Sequence, residues 1–258
     1  MYDIFRDAVR AEEPVALATV IRGVGVGAKL LARPGHDVLG TLGNTDLDRV
    51  VARDSIAELD AGRTGVRHYG VAGEANESAV EVFIESFAPP PQMIIFGAVD
   101  FTAALARVGK IMGYRVTVCD ARKVFATVRR FPMADAVEVE WPNTLLDRIG
   151  PTLGPRDAVC VLTHDAKFDV PAIVGALASR VGYIGVMGSR KTHDSRQTRL
   201  VEAGVTAEQM ARVMSPIGLD IGGRTPEETA ISICAEIIAV RTGRDTPSLR
   251  TTTGPIHR

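Results

Sequence analysis

The sequence predicts an α/β protein: a small mixed α+β amino-terminal domain followed by a Rossmann-like, parallel-sheet carboxyl-terminal domain. Three observations carry that prediction. At 258 residues and 46% hydrophobic, the chain is long enough to bury one large core or two smaller ones. The run "SFAPPPQ", residues 86–92, forbids both helix interior and central strand and marks a linker. Beyond it, short apolar runs alternate with segments of helical periodicity, the pattern of a parallel sheet covered by helices. The predicted boundaries are 1–88, a linker at 89–92, 93–244, and a tail at 245–258 without periodicity.

In the first half, "PVALATVIRG" reads as a strand, and "AKLLARPG" and "HDVLGTLG" as two shorter strands joined by a turn at Pro34 and Gly35. "TDLDRVVARDSIAELDAG" reads as an amphipathic helix. Asn44 or Thr45 can accept from its first amides, Asp46 and Asp48 suit its positive end, and Gly62 closes it. "TGVRHYG" and "SAVEVFIESF" complete the half as strands.

In the second half, "QMIIFGAV" gives a buried strand, followed by Phe101, Leu105, Val108 and Met112 at helical spacing. "YRVTVCDAR", "ADAVEVEW", "DAVCVLTHD" and "GYIGVMGS" supply four more strands. "PAIVGALASR" and "SRKTHDSRQTRLVEAG" read as helices. In "TPEETAISICAEIIAVR", Thr225 as cap, Pro226 and Glu228 form a capping box for the last helix.

Charge excludes some functions. With 30 basic and 31 acidic side chains, the chain has no electrostatic footprint for nucleic acid or an anionic membrane. The start lacks a basic segment followed by an apolar one, and no apolar run reaches the roughly 18 residues of a membrane span. The cytoplasm is the expected compartment. Cys119, Cys160 and Cys234 lie in apolar runs without metal-ligand spacing and read as core residues.

Open parallel sheets bind ligands at the carboxyl ends of their strands. The candidate binding residues are therefore Gly97 after the first strand, Asp120 and Arg122 after the second, His164 and Asp165 after the fourth, and Gly188, Ser189, Arg190 and Lys191 after the fifth. Cations at a helix start oppose its dipole unless an anion sits nearby, so "GSRKTH" points to an anion. The first loop, "GAVDFT", departs from GxGxxG, because Val99 and Thr102 stand where the second and third glycines belong. Asp120, 23 residues after Gly97, stands where an acid accepts from ribose hydroxyls. The apolar, glycine-rich loop "SPIGLDIGGRTPEE" adds Ser215, Ile217, Gly218 and Asp220, a stretch expected to be held against an interface or a ligand.

On "VLTHDAKFDVPAI", "YIGVMGSRKTH", "SPIGLDIGGRTPEETAISICAEIIAVRTG", "RFPMADAVEV" and "PVALATVIRG", the chain resembles the XdhC/CoxI family, accessory factors for molybdenum hydroxylases such as xanthine and carbon monoxide dehydrogenase. The resemblance implies two domains and a factor that binds molybdenum cofactor, as molybdopterin or its dinucleotide form, and delivers it to an apo-hydroxylase. It also implies contact with an enzyme that sulfurates or builds the cofactor, and the number of apolar loops leads to the expectation of a homodimer. Arg190 and Lys191 would then hold phosphate, and Ile217 would cover the pterin. Two family stretches are altered: Gly-Ala-Gly-His at the first Rossmann loop is "GAVD" here, and Gly-Gly-Cys in the amino-terminal domain is replaced by "GNTDLD", residues 43–48, which removes a thiolate suited to molybdenum.

Two other readings remain. An NAD(P)-dependent oxidoreductase fits the Rossmann-like order and Asp120, with His164 or Lys167 as acid or base. A divergent paralogue acting only through protein contacts needs neither pocket.

Overall fold

The computed structural model describes residues 1–75 and 77–253, apart from the side chains of Arg190 and Lys191. The chain divides into two compact units, Met1–Pro89 and Pro90–Arg258.

The first unit runs α1 (Tyr2–Arg10), β1 (Val15–Arg22), β2 (Lys29–Ala32), β3 (Leu39–Thr41), α2 (Thr45–Ala61), β4 (Gly65–Tyr69) and β5 (Val80–Phe87). Its strands form one antiparallel sheet in the order β3-β2-β1-β5-β4. Alternation along β1 splits two cores: Ala16, Ala18 and Val20 join Leu47 and Val51 of α2, while Val15 and Leu17 join Ile4 and Ala8 of α1. Asn44 is the cap of α2, its side chain accepting from Asp46 N and Leu47 N, and Gly62 closes the helix in the left-handed region.

The second unit runs β6 (Gln92–Phe96), α3 (Asp100–Ile111), β7 (Arg115–Cys119), β8 (Ala136–Glu138), α4 (Pro142–Ile149), β9 (Ala158–Val161), α5 (Ala166–Leu177), β10 (Tyr183–Val186), α6 (Arg190–Glu202), α7 (Ala207–Met210), β11 (Val213–Met214) and α8 (Pro226–Thr242). All six strands are parallel, in the order β11-β10-β9-β6-β7-β8. This is the doubly wound order, and its direction reverses between β6 and β9. Val116, Val118 and Cys160 pack against Leu105 of α3 and Ile233 and Ile237 of α8 on one face. Ile94, Val159, Val161 and Ile184 pack against Leu145 of α4 and Ile173 of α5 on the other. Both faces of the sheet are therefore dry, as a parallel sheet requires.

Several elements differ from the sequence expectation. The four-residue α7 and two-residue β11 are too short to show a period, whereas α1, with Ile4, Phe5, Ala8 and Val9 on one face, and α4, with Pro142 at its first position, carry signals that this expectation did not use. α5 starts at Ala166, five residues before the expected Pro171, because Asp165 caps it; Pro171 then lies inside the helix at the cost of one backbone bond. A short 3-10 turn spans Leu249–Thr251 in the stretch expected to lack regular structure, and residues 254–258 of that stretch lie outside the described residues.

Candidate functional site: the carboxyl edge of the parallel sheet

Where the strand order reverses, the ends of β6 and β9 touch. Gly97 has φ +108, and a Cβ there would sit 2.7 Å from Thr163 Cγ2 and 3.1 Å from Thr163 N, so only glycine fits. The loop that follows satisfies its own amides. Gly97 N donates to Cys119 O (2.9 Å), Ala98 N to Asp120 Oδ2 (2.8 Å) and Val99 N to Thr102 Oγ1 (3.3 Å). Thr102, in place of the third glycine, is fully buried and donates back to Gly97 O.

Asp120 is a clamp. Its Oδ1 accepts from Arg122 N and Arg122 Nε, and its Oδ2 from Ala98 N and Arg122 Nη2, all at 2.7–2.9 Å. Burial pushes its carboxyl up, but the Arg122 guanidinium and the two amides outweigh that and hold it below the usual carboxylate range. Four donors fill the four acceptor positions of the carboxylate, leaving none for a ribose diol. Arg122 in turn lies over the Phe125 ring (4.7 Å) and the Phe168 ring (5.7 Å), so its guanidinium is fixed from three sides.

An open cleft of about 510 Å³ lies beside this clamp, lined by Val99, Arg122, Thr163, His164, Asp165, Ala166, Phe168 and Arg199. Its size is in the range that takes a small organic ligand. Four titratable side chains line it, Arg122 from the end of β7, His164 and the carboxylate Asp165 after β9, and Arg199 from α6. Asp165 caps α5 through Lys167 N (3.2 Å) and pairs with Lys167 Nζ (3.2 Å); that amide leads the causes that hold its carboxyl low.

Beneath the cleft runs a buried polar chain. Thr163 donates to Asp169 Oδ1, and Arg196 Nη2 donates to Asp169 Oδ2 (3.0 Å) and Met187 O (2.8 Å). Arg196 Nη1 reaches Ser215 Oγ at 3.2 Å. Asp169 and Arg196 side chains are each only 3% exposed, so the pair ties the ends of β9, β10 and β11 together rather than meeting a ligand.

The expected site residues therefore fall in three places. Arg122, His164 and Asp165 line the cleft, with Gly97 and Asp120 forming the strand ends beneath it. Gly188 and Ser189 lead into α6, whose cap is Ser189 Oγ accepting from Thr192 N (3.2 Å). Arg190 and Lys191 begin that helix, and their side chains lie outside the described residues. Ser215, Ile217, Gly218 and Asp220 lie on the loop between β11 and α8. That loop is held by its own unit: Gly218 N and Tyr183 Oη both donate to Glu236 Oε2 (2.9 and 2.5 Å), Ser232 Oγ donates to Leu219 O (2.6 Å), and Ile217 lies on Gly185 of β10. Its apolar character is answered by α8 and the sheet. Asp220 is exposed.

Phe168, Arg199 and Asp169 were not legible as site residues. Arg199 lies one turn beyond Arg196, on the cationic helix already noted, and that spacing is its signal. Phe168 and Asp169 fall in the part of α5 that precedes Pro171.

Among the described residues no group of three or more His, Cys, Asp or Glu could hold a metal ion. All three cysteines are buried, and burial pushes the Cys119 and Cys234 thiols up to about 12 and Cys160 well up. At residues 43–48 the loop closes on itself instead, Asp48 accepting from Thr41 Oγ1 and Leu42 N at 2.7 Å each. No described helix is long and apolar enough to cross a membrane.

The fold and site define a two-unit α/β protein with an open cleft at the switch point of a doubly wound sheet. The family model for the XdhC Rossmann domain matches residues 93–237, and that for the XdhC and CoxI family matches residues 8–70. The chain belongs to the XdhC and CoxI family. It is 26% identical over 254 residues to the Escherichia coli K12 protein YqeB, covering 93% of this chain and 46% of that protein. It is 33% identical over 165 residues to a probable xanthine dehydrogenase subunit of Bacillus subtilis, covering 64% and 47%. Over 84 residues it is 32% identical to the E. coli K12 molybdenum cofactor insertion chaperone PaoD, covering 33% and 26%. The chain thus spans about half the length of the first two relatives. A crystal structure described as a xanthine dehydrogenase from Bacillus halodurans shares the fold, with a TM-score of 0.55 at 20% identity over 95% of this chain and 97% of that one.

Proposed function

We propose that this chain is an accessory protein in the maturation of a molybdenum hydroxylase of the xanthine or carbon monoxide dehydrogenase kind, and that it binds molybdenum cofactor and passes it to the apo-enzyme. The observation that carries the reading is the cleft itself: an open site at the switch point with Arg122, Arg199 and His164 on its wall. Those side chains suit an organic anion. The names of the Bacillus subtilis and PaoD relatives support the same role.

The residues fit the organic part of the cofactor and not its metal. Arg122 and Arg199 are suited to its phosphate, and by sequence position Arg190 and Lys191 at the start of α6 join them. In the hydroxylase the group supplies redox chemistry at molybdenum; here the chain's residues bind, orient and shelter it. The reading places the protein in the cytoplasm as a homodimer, in contact with the hydroxylase and with an enzyme that sulfurates or builds the cofactor.

The oxidoreductase reading is less well supported, because the amides of the first loop and the acceptors of Asp120 are already used. Lys167, its possible acid or base, is paired with Asp165. The test is to produce a molybdenum hydroxylase from the same cells with and without this chain. The reading expects the enzyme made without it to carry at least tenfold less cofactor, measured as released pterin, at unchanged protein level. Equal loading would reject it.

A further inference from the structure

We infer that the cleft takes the cofactor as a pterin carrying a single terminal phosphate and rejects its dinucleotide form. The inference rests on the cofactor-binding reading above and concerns only which form is held.

A dinucleotide in a doubly wound sheet needs two things, free loop amides for its pyrophosphate and a free carboxylate for its ribose diol. Both are spent here. Gly97, Ala98 and Val99 donate to Cys119 O, Asp120 Oδ2 and Thr102 Oγ1, so a pyrophosphate would orphan those acceptors. Val99 also puts a β-branched side chain into the cleft where a glycine would let the backbone approach. The next residue, Asp100, 93% exposed at the first position of α3, carries a charge like that of a pyrophosphate and is only loosely paired with Arg130, whose Nη2 lies 3.9 Å away and whose Nη1 is spent on Ala98 O. Asp120 has no acceptor left, and a ribose hydroxyl could enter only by displacing Arg122.

What the wall offers instead is two guanidinium groups, its one carboxylate, Asp165, being paired with Lys167. Asp120 uses two N–H groups of the Arg122 side chain, and the guanidinium carries five. Arg199 faces the same space from α6. A phosphate monoester carries close to two charges and three acceptor oxygens on one phosphorus, whereas each phosphorus of an internal pyrophosphate carries one charge. Two guanidinium groups at one cleft match the monoester.

The test is isothermal titration calorimetry of the full chain with 6-hydroxymethylpterin monophosphate, unphosphorylated 6-hydroxymethylpterin, NAD and FAD. The inference expects the monophosphate to bind at least tenfold tighter than each of the other three. Arg199→Ala should lower monophosphate affinity about tenfold and bring it to that of the unphosphorylated pterin; Arg122→Ala should do the same. Because Arg122 also holds Asp120, the exposed Arg199 carries the test if the Arg122 variant does not fold. A Val99→Gly, Asp100→Asn double variant should gain dinucleotide affinity. Dinucleotide binding as tight as the monophosphate overturns the inference and leaves the cofactor reading standing. Absence of binding by either pterin overturns both.

Discussion

The Asp120 carboxylate, buried against two strand ends, accepts four hydrogen bonds from Ala98 and Arg122. Its folded pKa is held below the unfolded value, so the stability it contributes is present above the unfolded pKa near 3.9 and is lost as pH falls through the lower folded value. Asp120→Asn should cost about 1.5–3 kcal/mol at neutral pH, the range for a hydrogen bond to a charged group. It should also flatten the acid limb of a Tm-against-pH profile; an unchanged limb would show that the clamp is not ionic. At Asp169 and Arg196, removing one partner strands a buried charge, and Arg196→Ala should cost about 3–5 kcal/mol by urea denaturation. Replacing both with apolar residues of similar volume should cost much less. Sequence position alone could not separate these roles. Asp120 was legible as a strand-end acid but not as a saturated one, and nothing in its position on a cationic helix marks Arg196 as the residue whose guanidinium is spent on Asp169, Met187 and Ser215.

Elements were legible where a periodic apolar run met a chemical stop. α2 is capped by Asn44, one of the two residues expected there, and closed by Gly62, and α8 starts in the expected Thr225–Glu228 capping box, while Gly243, which closes α8, was not read. The doubly wound order is set by long-range pairing, for which a two-residue strand such as β11 leaves no local trace. The β11–α8 loop illustrates the opposite limit. Its apolar residues predict that something covers them, and the cover is Gly185, Glu236 and Ser232 of the same unit. Glu236→Ala should therefore speed amide hydrogen exchange at Gly218 without unfolding the sheet, since Glu236 accepts from that amide. Protection unchanged at Gly218 would show that another group holds the loop. At the crossing of β6 and β9, Gly97→Ala adds a Cβ 2.7 Å from Thr163 at positive φ and should cost about 1–3 kcal/mol of backbone strain, read as a lower Tm.

For the whole molecule, the family was legible from long stretches of the chain, and the family models match residues 8–70 and 93–237. The position of the ligand edge follows from the sheet, while the shape of the cleft needed Phe168 and Arg199, which reach it from helices whose starts and faces were not fully readable. The most direct measurement is the pterin content of the chain purified from cells that make molybdenum cofactor, taken as the fluorescence of the oxidised pterin per mole of protein. The cofactor reading predicts a pterin in substantial stoichiometry that falls at least tenfold in the Arg122→Ala, Arg199→Ala double variant while the fold, checked by circular dichroism, is kept. Purified chain without pterin, or a pterin retained unchanged by that variant, would contradict it.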